Sequence, residues 1–216
     1  MSPKEEHIIF DLDGTLIDSS KGILVSYKKA FEKCGIKPKL ALKKEIIGPP
    51  LMETLSMLAG KSDLNQLTAL KDTFQKSYDY EGFLLTTVFP GVNQMLNELN
   101  KEGFLMYIAT NKRILPTKKI LKALEWTDYF KGIYSLDSFD TPFISKDKVL
   151  GRLIKNHKIK NGAYYIGDTK EDLEVSEKNG LSFILAKWGY GETSFNNNLE
   201  VFSPKELVRY LLKGLG

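Results

Sequence analysis

The chain has 216 residues, of which 42% are hydrophobic and 27% charged, enough apolar material for a full core and too ordinary a mixture for a disordered or fibrous protein. The formal net charge of +4 is the small surplus of 31 basic over 27 acidic residues spread along the whole length, which does not argue for a nucleic-acid partner. The single Cys34 excludes an internal disulfide, no run of about 18 apolar residues offers a membrane span, and the opening MSPKEEH has no hydrophobic signal region, so a reduced, cytoplasmic setting is expected.

The first element, His7 to Phe10, is rich in β-branched and aromatic residues and reads as a strand. It runs straight into Asp11-Leu12-Asp13-Gly14-Thr15, where Gly14 marks a turn. Two carboxylates, a glycine turn and a hydroxyl suit a phosphate together with a hard cation. Asp11 and Asp13 share one site only if the chain turns between or just after them, because residues two apart lie on one face of a continuing strand while the site lies beyond its end.

Ser19 and Ser20 are candidate caps for an amphipathic helix carrying Ile23, Leu24, Tyr27, Ala30, Phe31 and Cys34, stopped by Gly35 and Pro38. Leu40 to Ile47 is short and ends at Gly48-Pro49-Pro50; Leu51 to Leu58 resumes a helix; a third follows Ser62-Asp63 with Leu64, Leu67, Leu70, Phe74 and Tyr78 on one face. Residues 19 to about 84 thus hold helices and no convincing strand.

Near Thr86 to Gly91 the character changes, and strands alternate with helices. A helix over Val92 to Leu99 precedes the apolar run Phe104 to Ala109, a buried strand followed at once by Thr110-Asn111-Lys112. Pro116 opens a helix, Gly132 to Ser135 is a short strand, and Ser145 caps a helix whose first turn holds Lys146. Ala163 to Ile166 is a strand ending in Gly167-Asp168-Thr169, Glu171 to Asn179 a helix, and Leu181 to Ala186 the last clear strand, leading to Trp188-Gly189-Tyr190. Asn196 to Asn198 reads as a polar loop tip. Ser203-Pro204-Lys205-Glu206 combines a cap, a first-turn proline and a glutamate three after the cap, so a terminal helix is expected.

This order predicts an α/β fold: a doubly wound, Rossmann-like parallel sheet interrupted after its first strand by an inserted all-helical cap domain. The domains fall at 1–17 with 87–216 for the core and 18–86 for the cap. In such sheets ligands bind at the carboxyl ends of strands, and Asp11 with Asp13, Thr110 with Asn111, and Asp168 with Asp172 all follow predicted strands directly. The insertion leaves from that edge and would sit over it as a lid.

These residues resemble the haloacid dehalogenase superfamily, in its phosphatase branch with a small helical cap after the first motif, phosphoglycolate-phosphatase-like members included. The Asp-x-Asp-x-Thr motif stands as Asp11 to Thr15, the strand-end Thr as Thr110, and the Gly-Asp motif as Gly167-Asp168 with Asp172 four on. The resemblance implies Asp11 as nucleophile, Asp13 as acid and base, and Mg²⁺ held by Asp11, the Asp13 backbone carbonyl and Asp168. It further implies a phosphoryl cradle of Leu12 and Gly14 backbone N–H groups, Thr15, Thr110, Asn111 and a lysine, with Asp172 orienting the lysine or a metal water. The family's Lys-Pro pair is absent; Lys146, followed by Asp147, is preferred to Lys148 for that lysine, and Lys112 is read as a solvated surface residue.

A carboxylate at Asp13 disfavours dehalogenation, since a halide leaves without a proton. The cap histidine of β-phosphoglucomutase-like members falls by spacing on Ile23, which favours hydrolysis over a phosphomutase. A receiver-like phosphoacceptor is the alternative from another class, although receivers are shorter and lack the insertion. The expected partner is a small phosphorylated metabolite, with no nucleic acid or membrane, in a monomer or weak homodimer. Gly48-Pro49-Pro50 reads equally as a substrate-facing cap loop or a plain turn, and Trp188 and Tyr190 as site-mouth or packing residues.

Overall fold

The computed structural model describes residues 6–60, 63–143, 145–191, 195 and 199–213; the Asn196 to Asn198 loop tip and Ser62 lie outside them. A six-stranded parallel sheet runs in the order β5-β4-β1-β6-β7-β8, with β1 His7–Phe10, β4 Leu105–Thr110, β5 Phe130–Ser135, β6 Tyr164–Gly167, β7 Ser182–Ala186 and β8 Leu199–Val201. β1 is central and pairs with β4 and β6 (Ile9 with Tyr107 and Tyr165), and Ile8, Ile9 and Phe10 are fully buried. Strand alternation sends Ile8 and Phe10 to one face and Ile9 to the other. Burying each such side chain contributes about 1.5–3 kcal/mol, which explains why a strand with no polar face takes the middle of the sheet.

Helices cover both faces. The Ile8 and Phe10 face packs against α4 (Val92–Lys101), α5 (Ile114–Ala123) and α8 (Pro204–Lys213), through Met95, Ile120 and Leu207 among others. The Ile9 face packs against α6 (Lys146–His157) and α7 (Lys170–Lys178), through Val149, Leu153 and Val175. The terminal helix α8 starts as its sequence signals: the Glu206 N–H donates to Ser203 Oγ at 3.2 Å, and the Glu206 carboxylate accepts from the Phe202 N–H at 2.7 Å.

The segment after the first motif is helical: α1 Ser20–Lys33, α2 Leu51–Ala59 and α3 Leu64–Tyr80, with short 3₁₀ turns at Lys44–Ile46 and Gly82–Leu85. It has its own core, in which Tyr27, Phe31, Leu55, Leu58, Leu70 and Phe74 meet. Asp63 and Gln66 form a reciprocal capping box at the start of α3.

Two local expectations are corrected. β8 follows what read as the last strand; its three residues are too few to show a period. α5 begins at Ile114, two residues before Pro116, because the Asp137 carboxylate accepts the Ile114 N–H at 2.8 Å from a distant loop. The two connections to the helical segment pair as an antiparallel ribbon, β2 Ile17–Asp18 with β3 Thr87–Val88, the latter in the short extended run that precedes Pro90-Gly91 in the sequence.

Tyr190 ties this ribbon to the core. Its hydroxyl accepts from the Ser19 and Ser20 N–H groups at 2.8 and 3.2 Å and donates to Asp18 Oδ1 at 2.9 Å, while Asp18 Oδ2 pairs with Lys44 at 2.9 Å. Burial alone would raise the Asp18 pKa; hydrogen bonds from Ser20, Lys44 and Tyr190 outweigh it and hold it at about 2. A depressed folded-state pKa stabilises the fold above the unfolded value near 3.8 and loses that contribution as pH falls toward 2. Asp18→Asn is therefore expected to lower stability at pH 7 by about 1–2 kcal/mol, with the gap to the parent closing between pH 4 and 2 as followed by urea unfolding.

Candidate active site

The chain turns immediately after β1. The Asp11 N–H still donates to Ile166 O at 2.9 Å, continuing the ladder, and then Gly14, at φ +92°, folds the backbone back so that its N–H reaches Ile17 O at 2.9 Å. A Cβ at Gly14 would stand 2.3 Å from an Asp168 carboxylate oxygen, and one at Gly189 would stand 2.3 Å from the Gly14 carbonyl. Only glycine allows the two loops to close around Asp168.

Lys146 is at the centre. It occupies the first helical position of α6, where the helix dipole disfavours a cation, yet it is buried, and its Nζ donates to Asp11 Oδ1 and Asp172 Oδ1, both at 2.6 Å. Those two carboxylates outweigh burial and raise its pKa well above the usual lysine value. Lys148, two residues on, is exposed. Asp172 has a full set of donors: Lys146, the Tyr165 hydroxyl at 3.0 Å, and the Thr169 N–H and hydroxyl at 3.0 and 2.6 Å. Burial pushes its pKa up, but Lys146 and these hydrogen bonds prevail and lower it. The first-turn carboxylate therefore both caps α7 and orients the lysine.

Asp168 follows β6 and is fully buried, accepting from Thr15 Oγ1 at 3.1 Å and from the Tyr190 N–H at 2.8 Å. Burial first, then the Asp172 charge, raises its pKa to about 7. Asp11 is raised by burial and by Asp172 and Asp168, against the pull of Lys146. Carboxylate oxygens of Asp11, Asp168 and Asp172 lie within 4.8 Å of one another. Three buried carboxylates against one lysine leave an excess of negative charge, and an all-oxygen donor set fits a hard divalent cation such as Mg²⁺.

Asp13 faces the same cavity from the turn. Its carboxylate accepts from Lys112 Nζ at 3.0 and 3.2 Å and from the Ser19 hydroxyl. Lys112 is thus not a solvated surface residue: it is buried, with its Nζ 4.5 Å from the centre of the Tyr78 ring. Burial lowers its pKa but the Asp13 and Tyr78 interactions raise it further. Ser19, expected to cap α1, gives its hydroxyl to Asp13 instead.

Thr110 ends β4 buried, its Oγ1 accepting the Lys112 N–H at 3.1 Å, and lines the cavity with Asn111. The Asn111 amide donates to Gly48 O at 3.1 Å and to Glu171 at 2.7 Å. Both of its donors are therefore engaged, and the Gly48-Pro49 loop is brought over the site rather than left as a remote turn. The Gly14 N–H is likewise occupied within its own turn and is not a free phosphoryl donor; this glycine acts by lacking a side chain. Leu12 sends its side chain into the core. Trp188 donates to Thr15 O at 2.8 Å, so it and Tyr190 brace the first motif from behind. Glu171, Tyr165, Arg113 and Ser19 were not singled out as site residues; only Glu171, beside the Asp168 motif, offered a signal.

The family model for haloacid dehalogenase-like hydrolases matches residues 8–186. The chain belongs to this family. Among curated relatives, the tyrosine-protein kinase PtkA of Mycobacterium tuberculosis (strain ATCC 25618 / H37Rv) is 28% identical over 190 residues, 87% of this chain and 64% of that protein. The chain thus spans just under two thirds of the length of this relative. A phosphoglycolate phosphatase of Aquifex aeolicus is 30% identical over 210 residues, covering 94% of this chain and 95% of its own. A haloacid dehalogenase-like family hydrolase from Streptococcus pneumoniae, 28% identical, superposes with a TM-score of 0.84 over 95% of this chain and 98% of its own. Membership of the hydrolase family, with the first-motif aspartates directly after the first strand, sets aside the receiver reading.

Lys146→Met would leave the buried carboxylates without a counter-charge and is expected to destabilise the metal-free protein by about 3–5 kcal/mol, whereas Lys148→Met should stay within about 0.5 kcal/mol of the parent. Urea titrations of the two variants in a chelating buffer make the comparison.

Proposed function

We propose that this hydrolase-family chain is a Mg²⁺-dependent phosphatase that cleaves a small phosphorylated metabolite through an aspartyl-phosphate intermediate, with residues 1–17 and 87–216 as its catalytic core and 18–86 as its cap. The observation that carries the proposal is the pairing of a buried strand-end carboxylate, Asp11, with Lys146 at 2.6 Å, while Asp13 faces the same cavity one turn away. The cation, held by Asp11, the Asp13 carbonyl and Asp168, would supply neutralising charge for the phosphoryl oxygens.

An Asp11 oxygen attacks phosphorus, forming an Asp11–phosphorus bond as the bond to the ester oxygen breaks, and Asp13 gives its proton to the departing alcohol oxygen. In the second half, Asp13 takes a proton from water as the water oxygen attacks phosphorus, releasing inorganic phosphate and restoring the Asp11 carboxylate. Lys146 balances charge on Asp11 and the phosphoryl group, and Asp172 keeps the lysine in place. Thr110, the Leu12 N–H and the Asn111 backbone supply the remaining polar contacts to the phosphoryl oxygens, and Thr15 braces Asp168.

Lys112 and Ser19 hold the Asp13 carboxylate at the cavity. A mutase would need a group to keep and return the phosphoryl donor. Ile23 stands at the wall where the resemblance puts a cap histidine, and no histidine lines the cavity among the described residues, which supports water as the acceptor.

Asp11→Asn is expected to reduce phosphate release from p-nitrophenyl phosphate by about 10³-fold or more; a parental rate would sink the mechanism. Chelation should abolish turnover of the parent and added Mg²⁺ restore it. Rapid acid quench with labelled substrate should trap a phosphoenzyme sensitive to hydroxylamine in the parent and none in the variant.

A further inference from the structure

The cavity above Asp11 has two unlike walls. The core supplies its charges, and the cap roofs it with Ile23, Tyr27, Ile46, Ile47, Phe74 and Tyr78. The aromatic part of the roof is continuous: the Tyr27 and Phe74 ring centres are 4.5 Å apart, and Phe74 and Tyr78 stack at 5.8 Å.

Every cation lining the cavity among the described residues is already paired. Lys146 holds Asp11 and Asp172, Lys112 holds Asp13, and Arg113 holds Asp79 of α3. The lining also includes Glu171, which accepts from Asn111 and has no cation bonded to it. A second anionic group on a substrate, whether carboxylate or phosphate, would be stripped of water against an apolar roof with no counter-charge to meet it.

Asn111 makes an independent statement. Because both partners of its Nδ2, Gly48 O and Glu171, are acceptors, the amide orientation is determined, and its Oδ1 is left buried without a partner at the cavity wall. A buried free acceptor takes a hydroxyl or N–H and repels an anion. The cavity is about 100 Å³ and opens to solvent.

We propose that the substrate is a phosphate monoester of an uncharged, ring-bearing alcohol, with the ring against Tyr27, Phe74 and Tyr78 and a donor group toward Asn111 Oδ1, and that esters with a second anionic group are rejected. This rests on the phosphatase reading above and narrows it: the substrate named for the Aquifex aeolicus relative, which carries a carboxylate, does not transfer to this cavity. Hydrolysis moves the phosphoryl group to Asp11 and then to water, releasing the neutral alcohol and inorganic phosphate.

The test compares kcat/KM of the full chain with Mg²⁺ for benzyl phosphate, ethyl phosphate and 2-phosphoglycolate, three alkyl esters that differ in ring and charge. Benzyl phosphate is expected to exceed each of the others by about tenfold or more. Ile47→Lys, which places a cation in the roof, is expected to shift the benzyl phosphate to 2-phosphoglycolate ratio about tenfold toward the latter. A parent that uses 2-phosphoglycolate or ethyl phosphate as well as benzyl phosphate overturns the proposal, and an unchanged ratio in a folded Ile47→Lys counts against it. Turnover of p-nitrophenyl phosphate with none of the three esters overturns the substrate class alone. No turnover of any of the four overturns the phosphatase reading, and the proposal with it.

Discussion

A buried lysine between two buried aspartates is the contact on which the rest of the structure depends. Lys146 sits at a helix start that disfavours it, and Asp11 and Asp172 are removed from water. Each is tolerable only because the others are within hydrogen-bond reach, and removing one partner exposes the desolvation cost of those that remain. The triad also ties α6 and α7 to the end of β1, so the two helices on one face of the sheet are registered on the same point as Asp11. Asp168 stands beside it, its pKa raised to about 7 by burial first and then by the Asp172 charge.

The second constraint is the junction between cap and core. Its polar contacts come from a few positions: Lys112 to Asp13 and the Tyr78 ring, Arg113 to Asp79, Lys119 to the Asp79 carbonyl at 2.8 Å, and Asn111 to the Gly48 carbonyl, while Phe83 packs against the hydrophobic clusters of both bodies. The cap has a core of its own and does not rely on these contacts to fold its helices together. The ribbon of β2 and β3 is anchored by Tyr190.

Consecutive residues after β4 show how one short segment serves both bodies. Thr110 closes the strand, Asn111 reaches the cap loop, Lys112 reaches Asp13, and Arg113 reaches α3. Charge is concentrated on the core side of the cavity and apolar surface on the cap side.

Periodicity and punctuation by themselves determined the architecture: alternating strands and helices, a helical insertion after the first strand, and acidic residues at strand ends, because these are local patterns that survive in one dimension. The Asp11, Asp168 and Asp172 cluster was legible for the same reason, since strand ends in a parallel sheet share an edge. Only the tertiary structure decided the partners. Nothing local separates Lys112, buried on Asp13, from the many solvated lysines of this chain, or shows that the Asn111 donors are taken by Gly48 and Glu171, or that Tyr190 clamps the ribbon from 171 residues away. Long-range burial sets those identities: a side chain's charge state and hydrogen-bond partners depend on what is packed around it, and that is not written in its neighbours along the chain.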